Sequence, residues 1–110
     1  MGDKTLSATL EDNATARDFV SLLPLKLTLK NHGATEKISY LARKLSTKGA
    51  PAGVDPDVGE ITYYAPWGNL AIFRKDFGYS EGLIRLGKFD GAIALLDTPE
   101  ELDAAIELVD

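Results

Sequence analysis

Hydrophobic and polar positions alternate with a period of two through much of this chain. In residues 4–10, Leu6, Ala8 and Leu10 fall on one side and Thr5, Ser7 and Thr9 on the other, as in a strand with one buried face. Leu25, Leu27 and Leu29 alternate with Lys26, Thr28 and Lys30 in the cleanest run of this kind. Asn31, His32 and Gly33 read as a turn, Ile38 and Tyr40 as a returning strand, and residues 41–45 as its tight continuation. Residues 61–64 and 70–73 are rich in β-formers, and the turn Pro66-Trp67-Gly68-Asn69 separates them. A loop over 77–81 precedes a strand over 83–86, where Gly87 marks a bulge or a close backbone approach.

One stretch follows a helical period instead. Ala16, Phe19, Val20 and Leu23 are spaced i, i+3, i+4 and i+7. Thr15 fits the N-cap, Asp18 the capping-box position, and Pro24 ends the helix at Leu23. Residues 46–59 form a long loop carrying Gly49, Pro51, Gly53, Pro56 and Gly59; aperiodic loops of that length are often functional. Residues 91–97 read as a short helix. Thr98 and Pro99 make a helix start, and residues 104–109 either continue that helix or form a last strand. Many short strands with one amphipathic helix predict a β-rich barrel or sandwich, the helix covering the open end of a barrel.

Size and composition narrow this picture. A chain of 110 residues and 11.9 kDa buries about 65% of its unfolded surface, enough for one core and one domain. Hydrophobic residues at 45% and charged residues at 26% exclude a disordered chain. The absence of cysteine removes disulfides, thiolate metal sites and thiol catalysis. The longest uncharged run, residues 61–73, is too short to cross a bilayer. No membrane association and no signal peptide are expected, which makes the cytoplasm the default location. Residues 1–50 hold eight Lys/Arg against five Asp/Glu, whereas residues 51–110 hold four against twelve. Without a basic cluster, nucleic acid is not an expected partner.

Candidate chemistry is sparse. A histidine-based triad has only His32 to draw on, and its predicted turn marks it as a solvated residue. Asp55, Asp57 and Glu60 form the one compact acidic cluster, but the fifth and sixth calcium-loop positions are Gly59 and Glu60. The loop therefore reads as solvated, with no metal site and no cofactor. What remains is aromatic. Tyr63, Tyr64, Trp67, Phe73, Phe77 and Tyr79 crowd a short stretch. Tyr63 and Tyr64 must face opposite sides of a strand, so one leaves the core. Such aromatics can line an apolar cleft, with Arg43 and Arg74 as polar heads, or simply pack the interior.

The run 59–73, Gly-Glu-Ile-Thr-Tyr-Tyr-Ala-Pro-Trp-Gly-Asn-Leu-Ala-Ile-Phe, resembles a signature of small bacterial and archaeal cyclophilin-like proteins. Residues 13–24 are similar to the first-helix motif of that group, and Arg85 to Gly91 resemble a strand and turn near the barrel's end. The resemblance implies a mainly β fold: a closed, mostly antiparallel cyclophilin-like barrel capped by one or two short helices. It also implies a C-terminal strand over 104–109. Cyclophilins are prolyl isomerases that use an arginine donor to weaken the X–Pro amide resonance. Their Phe-His-Arg motif is missing here, and Tyr40-Leu41-Ala42-Arg43 is the nearest counterpart. Three readings follow. The first is a peptide- or small-ligand-binding module using Tyr64, Trp67, Asn69, Phe73 and Arg74, with Arg43 as donor. The second is a weak isomerase with Arg43 as the catalytic residue, or Arg74 as the second choice of donor. The third is a protein-interaction scaffold.

Overall fold

A computed structural model of the chain describes residues 6–33, 36–75, 78–91 and 101–107. In chain order the elements are β1 (Ala8–Leu10), α1 (Ala14–Val20), β2 (Leu25–His32), β3 (Glu36–Tyr40), β4 (Gly53–Val54), β5 (Glu60–Tyr64), β6 (Asn69–Phe73), β7 (Ser80–Glu81), β8 (Leu83–Phe89) and β9 (Leu102–Ile106). Seven strands pair antiparallel in the order β1-β8-β5-β6-β3-β2-β9, and β4 pairs with β7 as a small separate ladder. The expected helix over 91–97 and the start at Thr98 and Pro99 fall almost entirely outside the described residues, as does Phe77.

The barrel is open, contrary to the closed cylinder expected. Among the described residues β1 and β9 end the sheet and do not pair with each other. Side chains bridge what the ladder leaves apart. Ala16 and Phe19 of α1 pack with Tyr63, Leu70, Ile84 and Leu86, and Leu25, Leu27 and Ile106 join the same cluster. Leu6 and Phe89 near one edge share a second cluster with Leu102 and Ala104 at the other. The interior is thus sealed by a helix and by packing, so the hydrophobic term does not require backbone closure.

The helix starts two residues earlier than its period predicts. Asn13 is the N-cap: its Oδ1 accepts the Ala16 N–H at 2.7 Å, while its Nδ2 donates to the Arg85 carbonyl at 2.9 Å. Thr15 is buried and donates to the Ser46 carbonyl. Asn and Thr both cap well; the added bond to β8 selects Asn13. At its other end the helix tightens through Leu22 N–H to Phe19 O and Leu23 N–H to Val20 O, so it stops before Pro24 requires it.

Several expectations about the strands need correction, and β4 and β7 pair inside the stretches 46–59 and 77–81 expected to be loops. β2 runs on through Asn31 and His32, which pair with Lys37 and Glu36, and the chain turns only at Gly33. Residues 41–45 are not strand; Leu41 donates to Gly68 O and Leu45 to the Tyr63 hydroxyl. The reading of Gly87 holds in both senses. Register slips between Ile61 opposite Gly87 and Thr62 opposite Arg85, and a Cβ on Gly87 would lie 2.5 Å from the Thr9 carbonyl. β9 confirms the last strand, shifted toward the N-terminus, with Leu102, Ala104 and Ile106 half-buried on one face. Among the described residues no helix is long and apolar enough to cross a membrane.

Candidate functional site

Strand alternation sorts β5 and β6 into two faces. Tyr63 and Leu70 face the interior under α1, and Ile72 faces it in the neighbouring cluster around Leu29. Tyr63 is fully buried, and its hydroxyl is satisfied by the Leu45 N–H at 3.0 Å. Tyr64 therefore points outward. On that outer face the registers build rows across the sheet. His32 stands opposite Glu36 and Glu36 opposite Phe73; Tyr40 stands opposite Asn69, Asn69 opposite Tyr64, and Tyr64 opposite Leu83. Ala71, Phe73 and Leu83 form a small apolar cluster there with Ile38, Val54 and Tyr64.

The β5–β6 turn folds back over these rows. Gly68, at φ +70°, and Trp67 both donate to the Tyr64 carbonyl, a left-handed position that glycine fills without strain. The turn brings the Trp67 ring edge-on to Tyr64 and to His32, each at 5.5 Å between centroids. Under it lies a concavity of about 370 Å³ lined by His32, Glu36, Tyr64, Trp67, Asn69 and Phe73, among others. Trp67 remains 50% exposed, so the mouth is open to solvent.

Two polar groups stand out on this wall. Asn69 is 1% exposed. Its Nδ2 donates to the Leu70 carbonyl at 2.9 Å, and its Oδ1 is buried with no hydrogen-bond partner among the described residues. Because a carbonyl must receive a donor, the orphaned atom is the acceptor oxygen. An unpaired buried acceptor costs about 1–3 kcal/mol, so a donor that reaches Asn69 Oδ1 is favoured there. Glu36 is half-buried, and desolvation pushes its carboxyl upward while the charge of His32 opposes that shift.

Tyr64, Trp67, Asn69 and Phe73, four residues singled out from sequence, share this concavity. Arg74 sits beside it, donating to the Gly33 carbonyl at 3.3 Å. Arg43 does not line it. Its guanidinium grips Asp18 of α1 through two bonds of 2.8 and 3.0 Å and also donates to Ser21. His32 and Glu36 escaped the sequence reading. His32 shares the outward phase of Lys30, a signal masked by taking Asn31 and His32 as a turn; the pairing with Glu36 depends on register. The acidic cluster is not a solvated loop throughout. Glu60 is buried, accepts the Asp57 N–H at 2.6 Å and pairs with Arg85. Among the described residues no three potential metal ligands converge.

The Asp18 clamp carries a pH signature. Hydrogen bonds from Arg43 and from the Ser46 N–H hold its carboxyl down to about 2, below the ordinary 3.8. A carboxyl lowered by folding stabilises the native state above its unfolded value and loses that contribution as pH falls through the folded one. Acid unfolding should therefore steepen between about pH 4 and about pH 2, and Asp18→Asn should flatten that limb. Melting curves of both proteins across the range check this; parallel curves would contradict it.

These features define an open antiparallel half-barrel with an aromatic concavity on its outer wall. Residues 1–107 match the cyclophilin-like family, and the chain belongs to that family. No curated protein and no solved structure shows significant similarity to it.

Proposed function

We propose that this chain is a binding module that takes a peptide or small organic ligand on the outer face of the half-barrel, beneath the Trp67 turn. The observation that carries the reading is the convergence of Tyr64, Trp67, Asn69 and Phe73 on one open concavity. Apolar walls with a few directed polar groups are the usual composition of ligand sites. Trp67 supplies a large rigid contact at low entropic cost, and Asn69 supplies direction. An isomerase would need an arginine donor over the bound amide. Arg43 is committed to Asp18, and Arg74, beside the concavity, donates to the Gly33 carbonyl, which favours binding over catalysis.

Trp67 is the sole tryptophan, so its fluorescence reports the site directly. Titration with a panel of short N-acetylated peptide amides should give a saturable change for at least one member. In calorimetry, Trp67→Ala should weaken that peptide by about tenfold or more while the melting temperature stays within a few degrees. Loss of the fold in Trp67→Ala, or unchanged affinity, would place the site elsewhere. A protease-coupled assay on an X–Pro peptide should show no acceleration; a rate above background would favour the isomerase.

A further inference from the structure

The two ends of the concavity differ in chemistry, and the sheet fixes their separation. Glu36 lies beside Phe73, and Asn69 lies four residues away along β6 on the same face. Four strand residues span about 13 Å. One end thus presents a half-buried carboxylate; the other is lined by Asn69, whose buried Oδ1 has no hydrogen-bond partner among the described residues. Between them run the Phe73 and Trp67 rings, with Tyr64 on the flank.

Resting on the binding reading, we infer that the concavity selects an extended ligand with a free amine at one end: the ammonium meets Glu36, an amide N–H about three residues on donates to Asn69 Oδ1, and an apolar segment between them lies over Phe73 and Trp67. Each part answers a separate observation. Asn69 can only be satisfied by a donor, because its acceptor is the orphaned atom. Glu36 has lost part of its hydration, and a cationic partner restores the stability of its charged form. Aromatic faces attract an ammonium further through their quadrupoles. The span matches an extended peptide of three to four residues at about 3.3 Å each. An anionic ligand would meet the carboxylate and leave the Asn69 acceptor unsatisfied.

The probes are the tripeptide amide Ala-Leu-Ala-NH₂, its N-acetylated twin, which removes the charge, and its methyl ester, which replaces the terminal amide donor. Calorimetry near pH 7 on the full chain should show the free amine binding about tenfold tighter than the acetylated twin, the size of a charge-assisted hydrogen bond. Glu36→Gln should erase that preference without weakening the acetylated twin. Asn69→Ala should erase the preference for amide over ester and leave the preference for the free amine. Equal or tighter binding of the acetylated twin, with Trp67 fluorescence responding, would overturn this inference and leave the binding reading standing. No binding by either twin would also overturn it, and the broader peptide panel then judges the site on its own.

Discussion

Phe19→Ala is expected to destabilise the protein by about 3–5 kcal/mol, the range for deleting a buried aromatic and leaving a cavity. Phe19 is 3% exposed and belongs to the same core cluster as Leu45, Tyr63, Leu70, Ile84 and Leu86 where the helix plugs the half-barrel. The surrounding strands are held by their ladders and cannot collapse far into the space. Domains of this size hold only about 5–15 kcal/mol in total, so about a fifth or more of the stability is at stake. The melting temperature should fall by roughly 15 °C or more. Phe19→Leu, which retains most of the volume, should cost about 1–1.5 kcal/mol. Denaturant titration of the three proteins tests this. An alanine variant within 1 kcal/mol of the parent would mean that α1 does not seal the interior.

Glu60→Ala should cost about 2–4 kcal/mol, by a different mechanism. Glu60 is 4% exposed; one carboxylate oxygen accepts the Asp57 N–H and the other pairs with Arg85, whose guanidinium also donates to the Asp55 carbonyl at 3.1 Å. Removing one partner of a fully buried pair costs about 3–5 kcal/mol, chiefly because the remaining charge stays uncompensated. Here the Arg85 side chain is 34% exposed, so water recovers part of that cost. The double substitution Glu60→Leu with Arg85→Met removes both charges and should be milder than Glu60→Ala alone. A loss below 0.5 kcal/mol for Glu60→Ala would contradict the buried-pair account. A double variant that is worse than the single one would contradict it too.

Local pattern carried most of the architecture. The Leu25, Leu27, Leu29 alternation, the β-formers around Trp67 and the Phe19 period each specify an element through side-chain spacing, and those elements formed. That one of Tyr63 and Tyr64 leaves the core followed from their adjacency in a strand; that it is Tyr64 depends on Tyr63 being the one buried under α1. What stayed hidden depends on pairing between distant segments. Openness of the sheet is decided by which strands end it, and nothing within β1 or β9 encodes that. His32 and Glu36 become neighbours only through the β2–β3 register. Asn13 and Thr15 are equally good caps until Arg85 is brought alongside. Arg43 has the composition of a donor, yet Asp18 lies within its reach in the fold and captures it. Glu60 shows the same limit: charge and a Gly/Pro-rich neighbourhood read as solvated loop, while its place at the start of β5 buries it.

The central claim is that ligand meets the outer face beneath Trp67. Backbone and side-chain amide NMR shifts during titration with Ala-Leu-Ala-NH₂ test it most directly. The largest shifts should cluster on His32, Glu36, Tyr64, the Trp67 indole N–H and the Asn69 side-chain amide, with Asp18 and Arg43 unmoved. Shifts concentrated around Asp18, Arg43 and Ser46, with the Trp67 indole unchanged, would contradict it.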